Sequence, residues 1–176
     1  SFADSIKGFG GLKVLYIQDE YDYTEQARVW INELGINLVY TVVPSQYIDT
    51  VYPKERFPHV LFLPTLTGFI PTTTKPENEL KRVSERKTVI GYRGRPLPYW
   101  YGNLGQEKIA IGQKMRKICN DRSISCDIEW EEDKRIYGSG WLDFVESCKA
   151  TLGTESGSNV FDDYGYIKDA IIKELK

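Results

Sequence analysis

Histidine is almost missing from this chain of 176 residues: His59, in Phe57-Pro58-His59-Val60 before an apolar run, stands alone. One imidazole cannot build a histidine-rich metal site, and a Ser-His-Asp triad would have to recruit His59. The serine loop Gly153-Thr154-Glu155-Ser156-Gly157 also lacks the G-x-S-x-G spacing of a nucleophile elbow. His59 therefore reads as a structural or solvated residue. Cysteine is scarce too: Cys119, Cys126 and Cys148 are odd in number and show no CxxC spacing, which argues against a disulfide framework or a zinc knuckle and suits a reducing, cytoplasmic setting. No apolar run is long enough to span a bilayer, and no signal peptide is visible. Excess charge of one sign is also lacking. With 23 basic and 25 acidic residues intermixed, the net charge is -2, and a large nucleic-acid footprint would need a basic face.

What is present is an alternation of strand and helix. Lys13 to Ile17 is β-rich; Thr24 to Leu34 carries Ala27, Trp30, Ile31 and Leu34 at helical spacing, with Thr24 as its cap and Gly35 as its end. Asn37 to Val43 is a strand stopped by Pro44, which completes a β-α-β unit and implies parallel pairing. A short helix is expected from Ser45 and a strand at His59 to Leu63. The pattern then dissolves, with Thr72-Thr73-Thr74-Lys75-Pro76 resembling a linker. The same alternation restarts with a strand at Thr88 to Tyr92 and a helix over Gln106 to Asn120, its core positions expected at Ile109, Met115 and Ile118. A strand at Ser125 to Trp130, a helix at Ser139 to Ser147, a strand at Lys149 to Leu152 and a last helix after the serine-glycine loop complete the run. The expected fold class is α/β with two Rossmann-like parallel-sheet halves, residues 1–82 and 83–176. A chain that opens Ser1-Phe2 and stops at a lysine right after a helical pattern reads as an excerpt of a longer protein.

In open parallel sheets ligands bind beyond the carboxyl ends of the strands, so three loops are candidates. Gly153 to Ser158 offers backbone freedom at Gly157, hydroxyls at Ser156 and Ser158, an acceptor at Glu155, and a helix amino terminus expected directly after it. It is either a phosphate or sugar cradle or simply a capped helix start. Arg93-Gly94-Arg95, followed by Tyr99-Trp100-Tyr101, is either an anion clamp with a flat aromatic surface or a loop anchored by aromatic packing. Gln18 to Asp22, with Asp19 and Glu20, either faces a cleft, where it contacts an acceptor or supplies a general base, or is a solvated acidic turn. Glu129 to Asp133 reads as a solvated strand end.

IGYRGRPLPYWYGNLGQEK from Ile90 and FVESCKATLGTESGSNVFD from Phe144 resemble bacterial family-1-type glycosyltransferases of the GT-B fold, in the group associated with surface polysaccharides. KVLYIQDEYDYTEQARVWINELGINLVYTVVP from Lys13, with Val51-Tyr52-Pro53, looks like the late part of their amino-terminal, acceptor-side domain. The resemblance implies a donor-binding second half in which Arg93 and Arg95, helped by Lys108, neutralise a nucleotide-sugar diphosphate. Glu155 would match the first carboxylate of an E-x7-E signature and reach the donor sugar, with Ser156, Gly157 and Ser158 around phosphate oxygens. Asp163, or Asp162 beside it, would then hold the ribose, and Asp19 and Glu20 would fall on the acceptor side. The mechanism so implied uses no metal or other cofactor, and the partners are a nucleotide-sugar donor and a glycan or lipid-linked acceptor, with peripheral membrane contact left open. The alternative is a non-catalytic nucleotide- or sugar-binding module.

Overall fold

The computed structural model describes residues 1–68, 79–155 and 157–176. Within them the chain is α/β, with two three-stranded parallel sheets in the orders β1-β2-β3 and β5-β4-β6. It divides into two compact units, Ser1–Ile70 with Val160–Lys176, and Pro71–Asn159. The division differs from the expected one near residue 83 in two respects: the first unit's opening segment ends at Ile70, and the carboxyl-terminal segment, expected in the second half, belongs to the first unit. The Thr72 to Pro76 linker lies outside the described residues.

The first unit opens with α1, Phe2–Gly8, which the sequence reading missed. Its signal is a capping box, in which the Ser1 hydroxyl accepts from the Asp4 N–H and the Asp4 carboxylate reaches back to the amino terminus. Strands β1 (Val14–Ile17), β2 (Leu38–Thr41) and β3 (Leu61–Pro64) pair in parallel, in the registers Val14↔Leu38 and Leu38↔Leu61. Helix α2 spans Thr24–Leu34, the range its periodicity predicts, and ends on Gly35 in the left-handed region at φ 65°. Its cap is not Thr24, which is already helical. Tyr23 holds the cap position at φ 53°, and the Thr24 hydroxyl donates to the Glu20 carbonyl at 2.7 Å. A 3-10 turn at Ser45–Tyr47 leads into the short α3, Ile48–Val51. Ile31, Val39, Val43, Tyr52 and Phe57 form the buried core, with Phe62 stacked on Tyr52.

In the second unit the central strand β4 (Thr88–Arg93) is flanked by β5 (Cys126–Glu129) and β6 (Cys148–Thr151). Between β4 and β5 runs α4, Gly102–Asp121; between β5 and β6 runs α5, Ser139–Ser147. Of the core positions expected on α4, Met115 is in place: with Ile111 and Cys119, at i, i+4 and i+8, it joins Tyr92 and Ile128 in the core, whereas Ile109 and Ile118 lie outside that cluster. Gly105 and Gly112 are buried on the same helix, and a Cβ on Gly112 would come within 3.3 Å of the Tyr92 ring. A helix that approaches its sheet through glycines gives no hydropathy signal on that face.

Among the described residues no helix begins at the serine-glycine loop. Residues 152–155 and 157–165 hold no helix or multi-residue strand before α6, Tyr166–Glu174, which caps on Gly165 in the first unit.

Candidate functional site

Strands β4 and β5 end side by side, with Arg93 paired in register to Glu129. Beyond them opens a cavity of about 220 Å³. Five basic residues line it, Arg93, Arg95, Lys108, Lys134 and Arg135, against two acidic ones, Glu129 and Glu131. Trp130, Tyr137 and Trp141 add aromatic surface. Gly94 lets this wall close. A Cβ there would sit 2.8 Å from the Tyr92 hydroxyl oxygen and 2.9 Å from the Lys108 carbonyl oxygen, so only glycine lets the end of β4 lie this close to α4.

The five cations are not equivalent. Arg93 is fully committed to its own unit: Nε donates to the Lys134 carbonyl at 3.1 Å, and Nη1 to the Tyr92 and Asp127 carbonyls at 2.9 and 3.1 Å. Its Nη2 meets both Asp127 carboxylate oxygens, at 3.0 and 2.9 Å, and the guanidinium lies 4.3 Å above the Phe144 ring. Four hydrogen bonds and an ion pair hold Arg93, which makes it a tie between β4, β5 and the segment after β5, not a clamp awaiting an anion. Arg95 is the opposite case: it is exposed and has no hydrogen-bond or ion-pair partner among the described residues. Lys134 and Arg135 hold exposed pairs with Asp133 and Glu132, contacts weak enough to exchange for a better anion. Those pairs and the Glu132 and Asp133 carboxylates keep both side chains charged, and each has its titration pushed upward by that partner. Glu129 is neutralised by Arg116 at 2.8 Å, and Arg116 also stacks 4.1 Å over Trp130.

Sequence reading missed Lys134, Arg135, Trp130, Tyr137 and Trp141. It took the acidic run Glu129 to Asp133 as a solvated strand end and gave no weight to the two bases that follow it. The available signal was position, a Lys-Arg pair just past the carboxyl end of a strand.

The serine-glycine loop follows β6, the other neighbour of β4. Gly157 sits at φ 115°, a conformation that favours glycine. Ser156 lies outside the described residues. The Ser158 hydroxyl donates to the Tyr101 carbonyl at 3.1 Å, and the Asn159 carboxamide oxygen accepts the Leu104 N–H at 3.2 Å. These contacts close the first turn of α4 rather than starting a helix of their own, and among the described residues of this loop the expected helix start is not found. Glu155 is exposed, without a partner among the described residues. Thr154, next to it, hydrogen-bonds the Tyr92 hydroxyl, which itself donates to the Lys108 carbonyl at 3.0 Å.

The two aspartates of the E-x7-E match do not join this group. Asp162 and Asp163 belong to the first unit. Asp162 is buried; its carboxylate accepts the Lys168 N–H at 2.9 Å and so caps α6, and its backbone bridges Tyr21 and Tyr23. Asp163 pairs with Arg28 at 3.0 Å. Both are anchors of the terminal segment.

Asp19 and Glu20 follow β1 in that unit. Asp19, at φ 61°, is exposed and accepts from the Tyr21 hydroxyl at 3.0 Å. Glu20 is buried, contrary to a solvated turn. Its Oε1 accepts from the Thr41 and Tyr52 hydroxyls, and its Oε2 has no hydrogen-bond partner. Burial pushes the Glu20 carboxyl above its ordinary range, only partly offset by the Thr41 hydrogen bond, and the Tyr52 phenol is pushed upward by burial as well. His59 is exposed. Among the described residues no three His, Cys, Asp or Glu side chains gather to hold a metal ion, and no helix is long and apolar enough to cross a membrane.

Comparison of the chain with protein-family models, with curated proteins and with solved structures found no match.

Proposed function

We propose that the second unit binds the nucleoside diphosphate part of a nucleotide-sugar and that the chain serves a glycosyltransferase, moving that sugar to a glycan or lipid-linked acceptor. The observation that carries this reading is the basic, aromatic-lined cavity at the carboxyl ends of β4 and β5. A leaving nucleoside diphosphate gains negative charge as the bond from the anomeric carbon to the phosphate oxygen breaks, while an acceptor hydroxyl bonds to that carbon and its proton passes to water. Cations placed beforehand at the departing oxygens stabilise that charge. Arg95, Lys134 and Arg135 take this role, with Lys108 adding charge at the α4 wall. Tyr137 and Trp141 offer aromatic surface to the base, Trp130 being stacked under Arg116, and Arg93 serves as scaffold rather than clamp. Glu155, in the loop after β6, is the carboxylate for the donor sugar's hydroxyls. The resemblance of the Ile90 and Phe144 segments to family-1-type glycosyltransferases supports the same reading.

Calorimetric titration with UDP and GDP tests it. One of the two is expected to bind, more weakly as salt rises. Arg95→Ala should weaken that binding about tenfold, in line with the loss of one charge-assisted hydrogen bond. If neither nucleotide binds at millimolar concentration, or if Arg95→Ala and Lys134→Ala both bind as the parent does, the donor-site reading falls. Binding without turnover of any nucleotide-sugar in the presence of acceptor glycans would leave a binding module in place of the enzyme.

A further inference from the structure

Helical spacing puts Trp30 in the core of the first unit, yet Trp30 is 41% exposed, with Val29 and Tyr23 beside it at 38% and 40%. These residues line a cavity of about 370 Å³ along α2, which the terminal segment completes with Asp163 and Tyr164. A cluster of large apolar and aromatic side chains left open together marks a binding surface more often than a single exposed one does. The volume falls in the range of small-ligand sites.

The charges around the cavity are already cancelled. Glu25 is held by the Arg56 fork and by Arg28, and the Arg56 hydrogen bond keeps its carboxyl below the ordinary range. Asp163 is paired with Arg28 and Glu33 with Lys7, each at 3.0 Å. Among the described residues no basic side chain lines the cavity, and Lys168 Nζ beside it lies 5.3 Å from the Tyr23 ring centre, so the cavity gives an anion little hold; with its three carboxylates paired it gives little hold on a cation. Uncommitted neutral groups remain: the Gln26 carboxamide, the Trp30 indole N–H and the Tyr164 hydroxyl have no hydrogen-bond partner among the described residues.

We propose that this cavity is a binding site for a neutral oligosaccharide. A pyranose ring presents an apolar face of C–H groups and an equatorial rim of hydroxyls, and it matches flat aromatic faces bordered by uncommitted amide, indole and phenol groups. A charged or wholly apolar ligand would use one half of that surface and waste the other. The site lies entirely in the first unit and stands on its own residues, whether or not the second unit takes a nucleotide-sugar. For an enzyme that extends a glycan, such a site would retain the chain being built.

Trp30 is the only tryptophan of the first unit, so its indole N–H is a specific reporter. Proton–nitrogen NMR spectra of the whole chain, titrated separately with maltohexaose, cellohexaose, mannohexaose and chitohexaose, should show that resonance moving with at least one of them. Trp30→Ala should weaken that binding about tenfold or more, and Gln26→Ala about threefold, the loss of one neutral hydrogen bond. Both positions are exposed enough to spare the core. Should Trp30→Ala fail to fold, Trp30→Phe keeps the stacking face, lacks the donor and should give an intermediate loss. Arg95→Ala should leave saccharide binding unchanged, which separates this site from the nucleotide cavity. The proposal is overturned if no oligosaccharide moves the Trp30 resonance at millimolar concentration, if tetramethylammonium or pyrophosphate moves it more than any of them, or if the Trp30 and Gln26 variants bind as the parent does.

Discussion

β1 and β4 are the opening strands of two parallel sheets, and each ends in a polar loop at its carboxyl end, but the two loops spend their charges differently. After β1 the chain turns inward: Glu20 is buried against the Thr41 and Tyr52 hydroxyls, and the turn passes through left-handed conformations at Asp19 and Tyr23. After β4 one arginine is tied down and the next is left open over a cavity. A charge at the end of a parallel strand therefore identifies a ligand site only when its donors or acceptors remain unspent. Arg93 and Arg95, two residues apart, fall on opposite sides of that test.

The sharpest break in the comparison is to remove Arg93. Its guanidinium donates to three carbonyls and pairs with the Asp127 carboxylate. Losing it leaves partly buried acceptors without donors, so Arg93→Ala should cost about 3 kcal/mol of second-unit stability. Urea unfolding followed by the emission of the second unit's tryptophans would measure this. Arg95→Ala should leave the same curve unmoved within about 0.5 kcal/mol, as expected for an exposed residue away from such features. Equal effects at the two arginines would erase the distinction drawn between them.

That contrast also marks what the sequence makes legible. Helical periodicity with a terminal glycine suffices for α2, and the strand-helix alternation suffices for two parallel sheets, because both are local patterns of burial. The pairing of Arg93 with Asp127 and the turn of Asp162 toward α6 are not local. They depend on which backbone groups another segment leaves unpaired, and spacing does not record that. The glycine face of α4 and the outward Trp30 escaped for a related reason: apolar periodicity assigns aromatic residues to the core and assigns glycine to nothing.

The inward turn after β1 should reveal itself through pH. Burial raises the Glu20 carboxyl in the folded state above its unfolded value, so folding favours the protonated form. The stability this contributes is fully present below the unfolded value and is lost as pH rises through the folded one. Protection of the β2 amides Val39 to Thr41 against hydrogen exchange should therefore decline as pH climbs above the ordinary carboxylate range, after correction for intrinsic exchange. Glu20→Gln should remove that decline. Glu20→Ala should cost about 1–3 kcal/mol at every pH, since the Thr41 and Tyr52 hydroxyls lose their acceptor. A parent profile that stays flat would mean Glu20 is ionised in the fold.

The smallest effect concerns the stretch from Ser158 to Asp163, whose polar side chains serve two helices in different units. Asn159 caps α4 by accepting the Leu104 N–H, and Asp162 caps α6 by accepting the Lys168 N–H. A neutral cap on an exposed residue is worth about 1 kcal/mol, so Asn159→Ala should lower second-unit stability by about that much. Asn159→Asp should recover it, because a carboxylate accepts the same N–H and also meets the positive end of the helix. Nucleotide binding should survive both changes if this residue only caps. If Asn159→Ala instead weakens UDP or GDP binding while urea unfolding is unmoved, the loop after β6 touches the ligand through Asn159, and the division of polar groups between capping and binding would have to be redrawn there.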